Sequence, residues 1–295
     1  MLTLTTVDEV RAITDAARRA GEVVGFVPTM GALHDGHRSL LKAARHECQS
    51  VGISIFVNPP QFGPSEDFDT YPRDLLTDSL IAEAEGADWL FAPSVAEMYP
   101  DSARTSVHVA DLTERLCGVS RPNHFDGVTT VVAKLFSICG PARAYFGRKD
   151  AQQLAVVRQM VRDLDLPIEV VGCPTVRDQD GLAMSSRNAR LSPNERTAAA
   201  VIPRALNAAT EAIVKGDRNP DAIKQVLTEF IEAEPLAEID YVEIVDGVTL
   251  APLGGEIAQR WPDQVLLAVA VRFGATRLID NASVVITAAG IEVVY

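Results

Sequence analysis

The sequence predicts an α/β fold in which a doubly wound parallel sheet is followed by a smaller α+β region. Three observations carry that prediction. Across the first half, short runs rich in β-branched and aromatic residues alternate with stretches of helical periodicity, the pattern of βαβ units. Those apolar runs are continuous, as strands covered on both faces require. After about Thr175 the order changes to helices and then strands. Right-handed crossovers wind the first region into a Rossmann-like sheet. The expected domains are therefore 1–175 and 176–295.

Taken in order, Val23–Val27 reads as a buried strand, Ser39–Cys48 as a helix and Val51–Val57 as the next strand. A helix from about Asp74 to Glu85 precedes the short strand Trp89–Phe91. Val128–Ile138 is helical, Ala144–Phe146 extended, Gln152–Leu164 helical and Ile168–Val171 a strand. Beyond the boundary, Ser192-Pro193 caps an Ala-rich helix running to Val214, since Pro suits a first helical turn. A helix from Pro220 to Ala233 follows, then strands at Tyr241–Val245, Val265–Val271 and Thr276–Ile279.

The chain has 295 residues, 47% of them apolar, enough for a sizeable core. Its net charge of −13 argues against nucleic acid as a partner, because phosphate backbones are bound by neutralising Lys and Arg. Cys48, Cys117, Cys139 and Cys173 are widely spaced and read as reduced thiols. No apolar run approaches the roughly 20 residues of a membrane helix, and the start lacks the features of a signal peptide. A cytoplasmic protein without a membrane partner is expected.

Five segments carry chemistry. The first is Pro28-Thr-Met-Gly-Ala-Leu-His-Asp-Gly-His37, a strand turning into a helix. Ligands of α/β sheets bind at the carboxyl ends of strands, and helix N-termini offer N–H groups to phosphate. Gly31 and Gly36 allow close backbone approach. His34 and His37 are three apart, so on a helical turn both rings face one way and could stabilise a transferring phosphoryl group. The same pair reads alternatively as a buried hydrogen-bonded pair or as zinc ligands, although no third ligand is evident.

The second segment, Phe56-Val-Asn-Pro-Pro-Gln-Phe-Gly63, ends a strand in two amides held by prolines, which suits a small polar substrate or a rigid loop. Tyr71-Pro72-Arg73 reads as a helix entry. In the third, Arg121-Pro-Asn-His-Phe-Asp-Gly-Val128, Arg121 could hold a carboxylate or lie in a surface turn. The fourth, Phe146-Gly-Arg-Lys-Asp-Ala-Gln-Gln153, places two cations beside Gly147 at a helix start; Asp150 reads equally as a cap. In the fifth, Asp180-Gly-Leu-Ala-Met-Ser-Ser-Arg-Asn188, two hydroxyls and an Arg form an oxyanion clamp or a solvated linker.

Together these segments, in this order, resemble the pantothenate synthetase (pantoate–β-alanine ligase) family of the H-x-G-H nucleotidyltransferases. The resemblance implies an ATP-dependent ligase of coenzyme A precursor biosynthesis. In it, pantoate attacks ATP to give pantoyl adenylate and pyrophosphate, and β-alanine then yields pantothenate and AMP. It implies that His34, His37, Lys149, Ser185, Ser186 and Arg187 act on the phosphates, with His37 the proton donor and Mg²⁺ assisting. By matching position, ATP would contact Met30, Gly31, Ala32, Leu33, His34, Asp35, Gly36, His37, Gly147, Arg148, Lys149, Asp150, Val176, Met184, Ser185, Ser186 and Arg187. Gln61 and Gln153 would hold pantoate, with Gln61 also near β-alanine. Asp78 is the candidate Mg²⁺ ligand, and the second domain would act as a lid in a homodimer.

The chain departs from the family at Arg148, where Glu is common, and at Asp74, where Thr is usual. None of the assigned groups is lost by these changes. The rival readings are a nucleotidyltransferase releasing a stable nucleotidyl product, and a nucleotide-binding module without turnover. A dehydrogenase is excluded, since no G-x-G-x-x-G follows the first strand.

Overall fold

The computed structural model describes residues 1–63, 68–254, 261–287 and 290–295. It divides into two compact units: Met1–Gly147 with Gln152–Cys173, and Arg148–Ala151 with Pro174–Tyr295.

The first unit runs β1 (Leu2–Leu4), α1 (Val7–Arg19), β2 (Val24–Thr29), α2 (Asp35–Glu47), β3 (Ser50–Ile55), α3 (Leu75–Ala84) and β4 (Trp89–Phe91). It continues through the short helices α4 (Val95–Met98) and α5 (Cys117–Ser120), then α6 (His124–Cys139), β5 (Ala142–Gly147), α7 (Ala151–Asp163) and β6 (Ile168–Cys173). The sheet order is β1-β4-β3-β2-β5-β6 and every pair is parallel. Its strands are continuous apolar runs because helices cover both faces; Val27, Val51, Ile53 and Leu90 are fully buried. Phe26 of β2 and Trp89 of β4 stack with ring centroids 5.7 Å apart, reaching each other across β3, where Gly52 leaves room for the indole. The sheet grows outward from β2 through β3 on one side and β5 on the other, so its topological switch point falls at Thr29 and Gly147, the carboxyl ends of β2 and β5.

The second unit carries α8 (Pro193–Ala198), α9 (Val201–Val214) and α10 (Pro220–Glu232), then an antiparallel sheet β10-β9-β8-β7. Its strands are β7 (Glu238–Asp246), β8 (Gln264–Phe273), β9 (Thr276–Thr287) and β10 (Gly290–Val294). Ile202, Leu206 and Ile213 of α9, Ile223 and Leu227 of α10 and Val265, Leu267, Val269 and Val271 of β8 belong to one buried apolar core. No described helix is long and apolar enough to cross a membrane.

Local chemistry explains the differences from expectation. Helix α1 is opened by a capping box in which the Glu9 N–H donates to Thr6 and the Thr6 N–H donates to Glu9. Its Thr-x-x-Glu signal is present in the sequence, although α1 is not among the helices expected from periodicity. Helix α2 begins four residues before Ser39, because His34 caps it. The expected helix to Val214 is two helices. Pro203 has no N–H to donate to Ala199, and the Ile202 N–H donates there instead, at 3.1 Å, in a tight turn. Arg148–Ala151 groups with the second unit although β5 and α7 flank it in sequence.

Candidate active site

The turn after β2 is built almost entirely from its own residues and one acid. Thr29 Oγ1 donates to the Ser54 carbonyl at 2.7 Å and accepts from the Gly31 N–H at 3.2 Å. Gly31 has φ +88° and Ala32 φ +54°, a left-handed pair that reverses the chain. A Cβ on Gly31 would lie 2.8 Å from Asp78 Oδ2. Asp78, buried on α3, accepts the Ala32 N–H at 2.9 Å and the Leu33 N–H at 2.8 Å, one on each carboxyl oxygen. It is therefore the anchor of this turn. One acceptor position on each Asp78 oxygen is thus taken up by the backbone.

His34 is not on the helix, as the three-residue spacing implied; it is the N-cap, with φ −135° and ψ 179°. Its Nδ1 accepts the Gly36 N–H at 3.1 Å, and His37 Nδ1 accepts the His34 N–H at 3.3 Å. This is a capping box made of two imidazoles, where Ser/Thr and Glu are usual. The rings lie 4.2 Å apart, tilted by 47°. Since each Nδ1 accepts, the neutral ring of each carries its hydrogen on Nε2, so both histidines present an Nε2–H donor. A Cβ at Gly36 would sit 2.8 Å from His34 Cε1, so a larger residue there would have to displace the His34 ring. Ligation of zinc gains no support: no cluster of three or more His, Cys, Asp or Glu occurs among the described residues.

The amide pair after β3 is fixed just as closely. Gln61 is buried. Asn58 Nδ2 donates to Gln61 Oε1 at 3.1 Å and to the Gly127 carbonyl at 3.0 Å. Tyr99 O–H donates to Asn58 Oδ1 at 2.6 Å, and burial pushes the Tyr99 phenol up to about 12, so it stays a donor. Gln61 Nε2 is left pointing at Met30 Sδ, 2.9 Å away, which ties the amide to the first turn. His124 Nδ1 donates to the Gln61 carbonyl at 2.8 Å, and its Nε2 accepts from Arg121 at 3.0 Å. Arg121, expected as a carboxylate clamp or a surface turn, thus orients His124. Gly127 lets α6 press on this loop; a Cβ there would be 2.5 Å from the Gln61 nitrogen. Arg73 closes the neighbouring helix entry by donating to the Phe68 carbonyl at 2.7 Å.

After β5, Arg148–Asp150 form a 3₁₀ turn that runs straight into α7. Lys149 Nζ lies 3.9 Å from Asp150 Oδ1, its side chain largely buried. A Cβ on Gly147 would meet nothing within 4 Å. Gln152 is buried and clamps the preceding loop, accepting the Cys117 N–H at 3.0 Å and donating to the Leu112 carbonyl at 2.8 Å. Gln153, its half-buried neighbour, has no such side-chain hydrogen bond among the described residues.

In the second unit, the Met184 N–H donates to the Val176 carbonyl at 2.9 Å, which seats the loop. Ser185 Oγ accepts the Arg187 N–H at 3.2 Å, capping the 3₁₀ turn Ser186–Arg190. Asn188 Nδ2 braces it on the Ala183 carbonyl at 3.1 Å. Arg196 of α8 grips the loop's entry through Asp180 at 2.6 Å and Asp178 at 2.9 Å. Asp180 is held below its ordinary value chiefly by the Arg196 hydrogen bond.

Residues 2–283 match the family model described as pantoate-beta-alanine ligase. A pantothenate synthetase of Heliobacterium modesticaldum is 56% identical over 278 residues, covering 93% of this chain and 97% of the relative. One from Acetivibrio thermocellus is 52% identical over 95% of this chain and 98% of its own. Among solved structures, pantothenate synthetase from Thermus thermophilus superposes with a TM-score of 0.88 at 49% identity, covering 95% of this chain and 98% of that one. Pantoate-beta-alanine ligase from Francisella tularensis, complexed with beta-gamma ATP and beta-alanine, gives 0.74 at 33% identity over 95% and 97% of the two chains. Paired imidazoles just after the central strand of a parallel sheet, and a buried amide tied to the same turn, thus occur on a chain similar along nearly its whole length to one kind of ligase: the chain belongs to the pantoate-beta-alanine ligase family.

Proposed function

We propose that the chain joins pantoate to β-alanine in two steps through pantoyl adenylate, with its own residues doing the following work. A pantoate carboxylate oxygen bonds to the α-phosphorus of ATP as the Pα–O bond to the β-phosphate breaks, releasing pyrophosphate. The carboxylate is already ionised and needs no base. The demand is charge stabilisation, which preorganised donors meet best. His34 and His37 provide it through Nε2–H groups whose tautomer is fixed by the reciprocal cap, the observation that carries this reading. Lys149, Ser185, Ser186 and Arg187 add cationic and hydroxyl contacts, and backbone from Met30 to His37, Gly147 to Asp150, Val176 and Met184 lines the nucleotide. Gln61 and Gln153 hold pantoate, with Gln61 next to β-alanine.

In the second step the amine nitrogen of β-alanine bonds to the acyl carbon. The bond from that carbon to the bridging oxygen breaks, AMP leaves with that oxygen, and the amine loses a proton. The adenylate hydrolyses in water, so the second unit is assigned the role of lid. Mg²⁺ accompanies ATP in this proposal, and its usual chemistry is neutralising phosphate charge. The chain offers no protein cage for it among the described residues, and one acceptor position on each Asp78 oxygen is taken up by backbone, so its ligands fall mainly to the phosphates. By family resemblance we extend the proposal to a cytoplasmic homodimer with small-molecule substrates, and neither nucleic acid nor membrane as partner.

The test is to measure pyrophosphate and AMP separately with each substrate omitted in turn. Pyrophosphate is expected to need ATP and pantoate, and AMP to need β-alanine as well. Pyrophosphate release without any AMP in the complete mixture would instead support a nucleotidyltransferase with a stable product.

A further inference from the structure

The turn that carries Lys149 is fastened by a residue outside those the family resemblance assigns. Asn281, buried on β9, uses its side-chain amide twice: Nδ2 donates to the Arg148 carbonyl at 3.0 Å and to the Lys149 carbonyl at 2.8 Å. Two carbonyls of one 3₁₀ turn are thus gripped from a strand 132 positions away. Asn281 is itself fixed. Its N–H donates to Asp280 Oδ1 at 2.8 Å, and Asp280 is 3% exposed. That buried carboxyl group receives a two-pronged Arg177, at 2.6 and 3.0 Å. Arg177 also donates to the Gly181 carbonyl at 3.0 Å, at the start of the loop that leads to Ser185, Ser186 and Arg187, and its guanidinium lies 5.1 Å over the Tyr295 ring. A bidentate pair of this kind has little positional freedom. The network runs without a break from the backbone of Lys149 to the backbone of Gly181.

We propose that Asn281 is a positioning residue for Lys149, and that Asp280 and Arg177 tie it to the loop of Ser185–Arg187 so that the cation and the hydroxyl clamp are set as one piece. The inference rests on the reading of Lys149 as a phosphate contact. Asn281 touches no reacting atom in this proposal. It fixes the main chain from which the lysine extends, and a misplacement near 1 Å in such a group costs about 100-fold in rate.

The experiment is a double-mutant cycle on the full chain, following pantoate-dependent pyrophosphate release from ATP. The variants are Asn281→Ala, Asn281→Leu, Lys149→Ala and the pairwise doubles. Asn281→Leu keeps the branched skeleton of the side chain in its buried place while removing the donating amide, so it guards against a cavity in Asn281→Ala. In each background, the rate at saturating substrates and the KM for ATP and for pantoate are read, with the thermal midpoint as a check on folding. A 10- to 100-fold loss is expected for each single Asn281 variant, with KM for pantoate unchanged. In the Lys149→Ala background the same substitutions should cost less than about threefold, since a residue acting through Lys149 has nothing left to position. Full additivity, or unaltered rates in both Asn281 variants while Lys149→Ala is severe, would overturn the proposal. A mild Lys149→Ala would strike the assignment of Lys149 itself, a separate failure.

Discussion

Two strand-to-helix turns, one after β2 and one after β5, do similar chemistry in this account but are built in opposite ways. The first is encoded where it stands. His34 and His37 cap each other across three residues, Gly36 lies against the His34 ring, and Asp78 anchors Ala32 and Leu33 from a distance. The second is short and is gripped by Asn281 from β9. Their glycines differ in the same sense. A Cβ at Gly31 or Gly36 would collide with the protein, whereas one at Gly147 would meet open space. In the first turn the fold requires glycine; in the second the fold leaves room for a side chain. The lesson is that two strand-to-helix turns of one chain can be held differently, the first mainly by residues beside it and the second by a strand more than a hundred positions along.

The comparison is broken most severely at His37. His37→Ala removes an Nε2–H donor and half of the capping box, and should lower pantoate-dependent pyrophosphate release about 10²- to 10³-fold. The lost cap should cost only about 1 kcal/mol of stability, which thermal or urea unfolding would measure. An unfolded variant would mean that the histidines serve the fold first. Next comes Asp78→Ala, which leaves the Ala32 and Leu33 N–H groups without their acceptors in a buried place. Urea unfolding should show a loss of about 3 kcal/mol, and raising the Mg²⁺ concentration should restore neither stability nor rate. Rescue by Mg²⁺ would return Asp78 to the role of metal ligand.

Gly147→Ala sharpens the contrast from the other side. Its thermal midpoint should stay within the error of the parent's, while ATP binding weakens about tenfold or more, because the methyl group fills space meant for a ligand. Gly36→Ala should do the reverse and lower stability as well as rate. A Gly147→Ala protein that is destabilised but binds ATP normally would remove the distinction. The smallest effect concerns the entry to the Ser185–Arg187 loop. Asp180 titrates below its ordinary value in the folded state, so its pairing with Arg196 adds stability above the unfolded carboxyl value and loses it as pH falls through the folded one. Arg196→Met should therefore flatten the stability profile below about pH 4. The pair is partly exposed, so the change will be small.

The sheet and the H-x-G-H turn were legible in the sequence because their signals are local. Continuous apolar strands, helical periodicity and a glycine-punctuated turn each lie within a dozen residues. The placement of His34 was not, since histidine is not a usual cap and its spacing to His37 fits a helix equally well. The anchors were out of reach for a different reason. Asp78 sits inside an ordinary helix, and nothing near it announces that its partners are 45 and 46 positions back. Asn281 looks like one more polar residue on a strand, and its partners lie 132 and 133 positions earlier. The Pro203 break was visible as a residue but not as an interruption, because proline is tolerated in a first turn and only the hydrogen-bond pattern shows where that turn begins.

The route through pantoyl adenylate is tested most directly by oxygen transfer. Pantoate labelled with ¹⁸O in both carboxylate oxygens is turned over with unlabelled ATP and β-alanine, and the products are weighed by mass spectrometry. Attack of the carboxylate on the α-phosphorus requires that AMP carry one ¹⁸O and pantothenate retain the other in its amide carbonyl. AMP free of label, with the oxygen found in pyrophosphate or lost to water, would contradict the account.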